Sequence, residues 1–289
     1  MDKIIKEKIA SLLANDEDIL SVEQLGGMTN QNYLVKTSVK QYIVKFFGKG
    51  TDKLINRQNE KFNLELLKDL KLDVENYLFD IEAGIKVNQY IENAETLDSA
   101  TIKTKFEKIA PILQTIHASG KELKGEFAPF DEIKKYESLI QGEIYYPNYE
   151  AVRKSVFSLK EELEQIGIEK KSCHIDLVPE NFIEAADGHL YLIDWEYSSM
   201  NDPMWDLAAL FLESEFTTDE EDSFLSYYES EQTPVSREKI RIYKILQDII
   251  WSLWTIYKEE NGADFGDYGI TRYNRAVKEL QSQGGIDED

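Results

Sequence analysis

The chain has 289 residues, 42% hydrophobic and 11% aromatic, so it can bury a large core and is too apolar to be a disordered protein. Its formal net charge of −22 argues against nucleic acid and anionic membranes as partners, because an acidic surface repels both. The single cysteine, Cys173, excludes an internal disulfide and fits a reducing compartment. The sequence also shows no apolar leader and no apolar run long enough to span a bilayer, so we predict a cytoplasmic protein without membrane insertion.

The first third of the chain has the pattern of a small β-rich lobe. A short helix is predicted over residues 1–15, and a longer one follows from Leu54 to Leu70 with apolar residues at helical spacing. Short runs rich in β-branched and aromatic residues predict strands. These strands cover Asn32–Thr37, Gln41–Phe47, Tyr77–Ile81 and Ile85–Tyr90.

From residue 92 onward the pattern is largely helical, and turn residues such as Gly142 and Gly167 separate the helices. We therefore predict an α+β, bilobal fold with a β-rich N-lobe over residues 1–91, a helical C-lobe over residues 92–289 and a hinge near Gln89–Asn93. The predicted helices of the C-lobe are Thr101–Ser119, Pro129–Gln141, Tyr149–Gln165, Pro203–Glu213, Asp219–Glu229, Arg237–Tyr257 and Ile270–Leu280.

A loop of glycines and short polar residues lies just before the first pair of predicted strands. Small side chains let backbone N–H groups approach phosphate oxygens, so this loop is a candidate phosphate-binding loop. It lacks a Gly-x-Gly-x-x-Gly pattern, and an ordinary hairpin turn is about as consistent with it. The candidate residues are Gly26, Gly27, Thr29, Asn30 and Asn32.

Lys45 lies in the middle of an apolar strand run, where a lysine is costly unless it is paired. Glu60, on the helix that follows, is the expected partner. Such a lysine–glutamate pair aims an ammonium group at nucleotide phosphates in kinases. The alternative is a solvated lysine on an edge strand.

The strongest motif is His174-Ile175-Asp176, followed five positions after Asp176 by Asn181. Phosphoryl transfer needs a carboxylate that orients the attacking hydroxyl and oxygen ligands that hold Mg²⁺. Asp176 suits the first task and Asn181 the second. Taken alone, His-x-Asp also fits a core histidine beside a turn-forming aspartate.

A second strand pair supports this interpretation, because two apolar runs flank Asp187-Gly188, a type I′ hairpin signal. The second run delivers Asp194 opposite Asn181, which places two oxygen ligands beside one cation. Asp264-Phe265-Gly266 spells the protein-kinase metal motif, but it lies far from Asp176 in a turn between helices. We interpret it as a loop.

Residues 174–182 and 193–208 together resemble the choline/ethanolamine kinases, and more closely the bacterial choline kinases of the LicA type. This resemblance implies a protein-kinase-like fold and ATP-dependent, Mg²⁺-dependent phosphorylation of choline, feeding phosphocholine into cell-surface polymers. The wider clan includes aminoglycoside phosphotransferases. A kinase for ethanolamine or for an aminoglycoside is the alternative.

The resemblance also implies roles for single residues. Asp176 is the base, Asn181 and Asp194 are metal ligands that Glu196 assists, and Asp206 braces the catalytic loop. Arg57 joins the Lys45–Glu60 network, and Gln89 and Ile91 at the hinge contact the nucleotide. These further positions are Arg57, Gln89, Ile91, Glu196 and Asp206.

Choline binding in this family resembles an aromatic cage, whose matching positions are Tyr197, Trp251, Trp254 and Tyr268 with Glu213 nearby. Aromatic faces stabilise a quaternary ammonium, which has no N–H to donate. Helical periodicity alone makes the two tryptophans ordinary core residues. The expected partners are therefore choline and Mg·ATP, and the chain is expected to be a monomer or a homodimer.

Overall fold

The computed structural model describes residues 5, 7, 9, 17–27 and 29–282. These fall into two compact units: the first comprises the chain up to Asp98 together with Pro179–Tyr197, and the second comprises the remainder. The segment 179–197 therefore groups with N-terminal residues, whereas the predicted division at residue 91 is sequential. The helix predicted over residues 1–15, apart from residues 5, 7 and 9, and the acidic tail beyond residue 282 lie outside the described residues.

The first unit contains a five-stranded antiparallel sheet in the order β1-β2-β3-β5-β4. Its inward side chains, among them Tyr33, Val35, Val44 and Val87, form one core cluster. The four predicted strands are confirmed, and β1 is a strand that the sequence did not indicate. The strands are β1 (Ile19–Gln24), β2 (Gln31–Thr37), β3 (Gln41–Phe46), β4 (Asn76–Asp80) and β5 (Ile85–Gln89).

Helix α1 (Arg57–Leu67) follows β3 and is shorter than the predicted span from Leu54 to Leu70. Its N-cap is Asn56, whose side chain accepts hydrogen bonds from the next turn, and this fixes where the helix begins. A 3₁₀ turn, Lys68–Leu70, ends it. The cap places Arg57 and Glu60 in the first turn, where both side chains are buried.

A three-stranded sheet completes the first unit, with β6 (Glu95–Thr96) on β8 (Phe182–Glu184) and β8 on β9 (Leu190–Leu192). The predicted hairpin is thus confirmed, but the predicted type I′ turn is wrong. A type I′ turn needs positive φ at both central residues, and here Gly188 has φ 85° whereas Asp187 does not lie in that region. A longer loop from Ala185 to His189 joins the strands.

The second unit is mostly helical and has one short strand pair, β7 (Lys171–Cys173) with β10 (Ser199–Asn201). All seven predicted helices are present; Pro203–Glu213 has the predicted bounds, and the other six differ at one or both ends. The longest, α7, packs against α3, α5 and α8 and forms the centre of the unit. The helices are α2 (Phe106–His117), α3 (Pro129–Leu139), α4 (Tyr149–Ile166), α5 (Pro203–Glu213), α6 (Thr218–Tyr228), α7 (Arg237–Glu260) and α8 (Tyr268–Ser282). Within the described part of the chain, no helix combines the length and apolarity that a membrane span requires.

Candidate active site

The candidate catalytic loop begins directly after β7 and has an unusual backbone. Ile175 has φ 79°, a conformation that is strained for a β-branched residue. Asp206 accepts hydrogen bonds from the backbone N–H groups of His174 and Ile175, both at 2.8 Å, and the indole of Trp205 donates to the Ile175 carbonyl at 3.0 Å. These bonds hold the strained residue, so the bracing role expected of Asp206 is confirmed.

Asp206 is itself fixed at the buried start of α5, where Asp202 caps the helix. His117 Nε2 lies 3.1 Å from its carboxylate, and His117 Nδ1 lies 2.7 Å from the hydroxyl of Tyr228. Cys173 is close to His117 and Asp206, but burial raises the pKa of its thiol well above the ordinary value. The thiol therefore stays protonated, and this cluster serves as a support for the loop.

Asp176 follows Ile175 on the same loop and is half-buried. Its backbone carbonyl accepts a hydrogen bond from Val178 at 3.1 Å. The chain passes from the second unit to the first between Val178 and Pro179, before the 3₁₀ turn Pro179–Asn181. The braced backbone holds the Asp176 carboxylate at a fixed point, which suits a group that must orient a hydroxyl.

Asn181 and Asp194 lie side by side in the first unit. The backbone N–H of Ile193 donates to the carbonyl of Asn181 at 2.8 Å, which holds the exit of β9 beside the start of β8. Asp194 has φ 68°, rare for a residue other than glycine, and its side chain is 25% exposed. An amide and a carboxylate at neighbouring points match the oxygen ligands that Mg²⁺ prefers, so these residues fit the predicted metal site.

Lys45 contacts Asp194 instead of Glu60. Its Nζ lies 2.6 Å from Asp194 Oδ1, and the lysine side chain is 8% exposed. Burial alone lowers the pKa of Lys45, but the carboxylates of Asp194 and Glu196 outweigh it and hold the pKa above its ordinary value. The lysine therefore carries its charge, and the predicted direct pair between Lys45 and Glu60 is wrong.

Glu60 is occupied by two other cations. Its Oε1 accepts from Lys86 at 2.9 Å and its Oε2 from Arg57 at 2.7 Å, in a site where the glutamate side chain is fully buried. Lys86 stands directly opposite Lys45 in the β3–β5 register and is 1% exposed. Lys86 was not among the residues predicted from the sequence, although its place in the buried run of β5 indicates a paired lysine.

Glu196 extends this network to the candidate phosphate loop. Its Oε2 accepts from Asn30 at 2.7 Å and from Arg57 at 2.9 Å, which confirms that Arg57 belongs to the network. Burial raises the pKa of Glu196, and Asp194 adds to this effect. Gly48 packs so closely on the loop that a Cβ there would lie 1.9 Å from the Thr29 carbonyl.

The loop is closed by its own side chains and backbone. Asn32 Nδ2 donates to the Gly26 carbonyl at 2.8 Å, and the backbone N–H of Leu25 donates to the carbonyl of Asn32 at 2.8 Å. Gly27 has φ 157°, and a Cβ there would lie 2.6 Å from the Asn30 carbonyl. Gly26 and Gly27 are thus both part of a tight loop. The nucleotide contacts expected of Gln89 and Ile91 stay predictions.

In the second unit, aromatic rings form a row from α7 to α8. Trp251 and Trp254 are 6.5 Å apart between ring centroids, Trp254 and Phe265 are 5.0 Å apart, and Phe265 and Tyr268 are 6.5 Å apart. Phe265 belongs to the segment that the sequence analysis set aside as a loop. The spacing of three residues between Phe265 and Tyr268 could have indicated that Phe265 belongs to this row, but the resemblance of the segment to a metal motif obscured it. Tyr197, the fourth predicted cage residue, is buried in the first unit.

Tyr268 lies beside the ionic groups of the same unit. Burial raises the pKa of Tyr268 to about 12; Arg272 opposes this effect, whereas the charges of Glu213 and Asp176 add to it. The candidate base and the end of the aromatic row are therefore within electrostatic range of each other. Tyr268 is also seated tightly, because a Cβ on the next residue, Gly269, would lie 2.4 Å from the hydroxyl of Tyr146.

Known proteins match this chain over most of its length. The sequence profile of the choline/ethanolamine kinase family matches residues 22–241. Protein LicA of Haemophilus influenzae is 31% identical over 268 residues, which are 89% of this chain and 79% of that protein. The crystal structure of the choline kinase LicA from Streptococcus pneumoniae is 77% identical, has a TM-score of 0.95 and covers 98% of this chain and 99% of that one. A structure of LicA in complex with AMP is 78% identical, with a TM-score of 0.92 and coverages of 97% and 98%.

Proposed function

We propose that this chain, which belongs to the choline/ethanolamine kinase family and has its protein-kinase-like fold, is a choline kinase that converts ATP and choline to ADP and phosphocholine. One observation carries the choice of substrate. The row of aromatic rings ends at Tyr268, in the unit that holds Asp176, and a carboxylate, Glu213, lies beside it. Aromatic faces stabilise a trimethylammonium group by up to about 2 kcal/mol each when they are desolvated.

Asp176 acts on the hydroxyl of choline. Its carboxylate accepts a hydrogen bond from the hydroxyl, orients the oxygen towards the γ-phosphorus and takes the proton as the new O–P bond forms. The bond from the γ-phosphorus to the bridging oxygen breaks at the same time, and ADP leaves. The backbone hydrogen bonds that Asp206 accepts hold the strained Ile175, and with it the Asp176 carboxylate, in place before substrate arrives.

The first unit supplies the nucleotide side. LicA, at 78% identity, has been solved with AMP, which supports nucleotide binding by this chain. Asn181 and Asp194 would hold Mg²⁺, with Glu196 Oε1 as a further oxygen, and the ion supplies charge neutralisation at the phosphates when it is bound. Lys45 provides the cation for the phosphate oxygens, and the glycine loop provides backbone N–H groups.

We also propose a cellular compartment, partners and an oligomeric state for the enzyme. ATP is a substrate and the one cysteine is a free, buried thiol, so we place the enzyme in the reducing, ATP-containing cytoplasm. Its small-molecule partners are choline and Mg·ATP. The phosphocholine that it releases would feed cell-surface polymers, and the enzyme would act as a monomer or a homodimer.

The test is ADP release by the purified enzyme with choline, ethanolamine and an aminoglycoside as separate substrates. We expect turnover with choline, at a kcat/KM at least about tenfold above that for ethanolamine. Asp176→Asn should lower kcat by about 10²–10⁴-fold while nucleotide affinity stays close to the wild-type value. Asp187→Asn, in the exposed hairpin loop, is the matched control and should keep full activity.

Two results would count against the proposal. ADP release with ethanolamine or an aminoglycoside but not with choline would assign the chain to the alternative substrate class. Near-normal turnover of choline by Asp176→Asn would show that Asp176 is not the general base.

A further inference from the structure

A buried arginine lies in the unit that is proposed to bind a cation. Arg272, on α8, is 4% exposed, in a chain whose net charge is −22. A cation beside a site for a cationic substrate weakens substrate binding by charge repulsion, so its presence there calls for a physical reason.

The contacts of Arg272 reach three helices. Nη1 donates to the hydroxyl of Tyr268 at 2.7 Å, Nη2 lies 2.6 Å from Oε1 of Glu213, and Nε lies 3.2 Å from Oδ1 of Asp248. The guanidinium carbon is also 5.1 Å from the centroid of the Tyr268 ring. Arg272 thus makes one hydrogen bond, to Tyr268, and two ion pairs, to Glu213 and Asp248. The planar fork of an arginine can face three such groups at once, which a lysine ammonium cannot do in the same plane.

Asp248 is held from a second side by Arg275, whose Nε and Nη2 both lie 2.6 Å from its oxygens. The four charged groups of this set, Glu213, Asp248, Arg272 and Arg275, therefore cancel formally. Arg275 does not touch Glu213 or Tyr268, and its side chain is 42% exposed. The two arginines share Asp248, but among the described residues Arg272 alone of the pair contacts the residues proposed to bind the substrate.

We propose that Arg272 is a positioning residue that fixes Glu213 and Tyr268 and thereby sets the preference of the enzyme for a trimethylammonium group over a primary ammonium group. This inference rests on the proposed choline kinase function. Arg272 engages one oxygen of Glu213 and offsets its charge, which makes that carboxylate a weaker acceptor for N–H groups. A primary ammonium needs such an acceptor, because its three donors are otherwise left unpaired.

A trimethylammonium group has no donor to satisfy and depends on the orientation of aromatic faces. The hydrogen bond from Arg272 to the Tyr268 hydroxyl fixes the angle of that ring. Arg272 thus favours choline in two ways, by holding the ring and by weakening the competing interaction of ethanolamine with Glu213.

The test measures kcat and KM for choline and for ethanolamine in the wild type, Arg272→Met and the matched control Arg275→Met. For Arg272→Met we expect the ratio of the two kcat/KM values, choline over ethanolamine, to fall by about tenfold or more. Most of the loss should come from a higher KM for choline. Arg275→Met also removes a cation from Asp248, and its ratio should stay within about twofold of the wild type.

Arg272→Lys keeps the charge and tests the same inference if Arg272→Met does not fold. Its ratio of kcat/KM for choline over ethanolamine should fall by about threefold, because the ammonium cannot contact all three partners. An unchanged ratio in the folded variant, or an equal fall in Arg275→Met, would overturn the inference. If the wild type itself did not phosphorylate choline, the proposed function would fail first, and the two failures are thus distinguishable.

Discussion

Each unit contains an ionic network of two basic and two acidic side chains. Both networks are largely buried, although the Arg275 side chain of the second is 42% exposed. In the first unit, Arg57 contacts both Glu60 and Glu196, and Lys86 contacts Glu60. In the second unit, Arg272 and Arg275 share Asp248, and Arg272 also holds Glu213. Both sets therefore offset their own charge, which is the condition for burying ions at tolerable cost.

The difference lies in one partly exposed carboxylate, which stands next to the network in the first unit and belongs to the network in the second. Asp194, 25% exposed, stands among an ammonium group and oxygen-bearing side chains, which suits a small, hard cation. Glu213, 18% exposed, stands beside an aromatic row, which suits a large cation of low charge density. Under the proposed function, the same arrangement would serve two kinds of cation, and the surroundings of the carboxylate would decide which kind.

The largest expected effect comes from removing the carboxylate of the first unit. Asp194→Asn loses both the proposed metal ligand and the partner of Lys45, so we expect kcat/KM to fall by about 10³-fold, equivalent to about 4 kcal/mol. Turnover measured across a range of Mg²⁺ concentrations checks this. A loss of less than about tenfold would show that Asp194 does not hold the metal.

The next effect tests whether the network of the first unit is needed for folding. Lys86→Met leaves Glu60 with Arg57 alone, and we expect the free energy of unfolding to fall by about 3 kcal/mol in urea titrations. The exposed Lys68→Met is the control and should change it by less than about 0.5 kcal/mol. Adding Glu60→Gln to Lys86→Met should recover part of the loss, because the unpaired buried charge is then gone.

Residues whose placement depends on nearby sequence could be located from the sequence. Asp176, Asn181 and Asp194 belong to one loop and one hairpin, so their spacing was informative. The backbone strain at Ile175, next to Asp176, was not predictable, because Ile175 is held in place by Asp206, thirty-one positions away in sequence.

The partners within the ionic networks could not be predicted from the sequence. The choice of Asp194 over Glu60 as the partner of Lys45 depends on Lys86, which lies opposite Lys45 in the neighbouring strand and occupies Glu60. Arg272 was missed for a similar reason, since its three partners come from three helices. Helix positions and strand runs indicate burial, but they do not say which of several buried charges meet.

Substituting Glu213, the partly exposed carboxylate of the second unit, should lower activity less than substituting Asp194. Glu213→Gln keeps the shape of the side chain and removes its charge, so we expect the KM for choline to rise by about tenfold, near 1.4 kcal/mol, with kcat within about threefold. Aromatic faces continue to bind the substrate, which limits the loss. Steady-state kinetics at saturating ATP check this, and a collapse of kcat instead of a rise in KM would mean that Glu213 acts on the reacting hydroxyl.

The smallest effect concerns Asp73, an acid beside the network of the first unit for which no cation within hydrogen-bonding distance is found among the described residues. Burial raises the pKa of Asp73 to about 7; Lys86 and the N–H of Val74 oppose the rise, and Asp194 adds to it. In the unfolded chain the pKa of an aspartate is near 4, so the folded state binds this proton more tightly. Ionised Asp73 therefore costs stability increasingly as the pH rises from about 4 to about 7.

Asp73→Asn removes that cost, and the gain should be largest at pH 8. We expect the variant to melt about 2–4 °C above the wild type at pH 8, about 1 kcal/mol, with a smaller difference at pH 5. Paired melting curves at the two pH values isolate Asp73, because every other titrating group is common to both proteins. An equal difference at both pH values would mean that Asp73 is ionised in the folded protein throughout this range and that the network of the first unit offsets its charge as well.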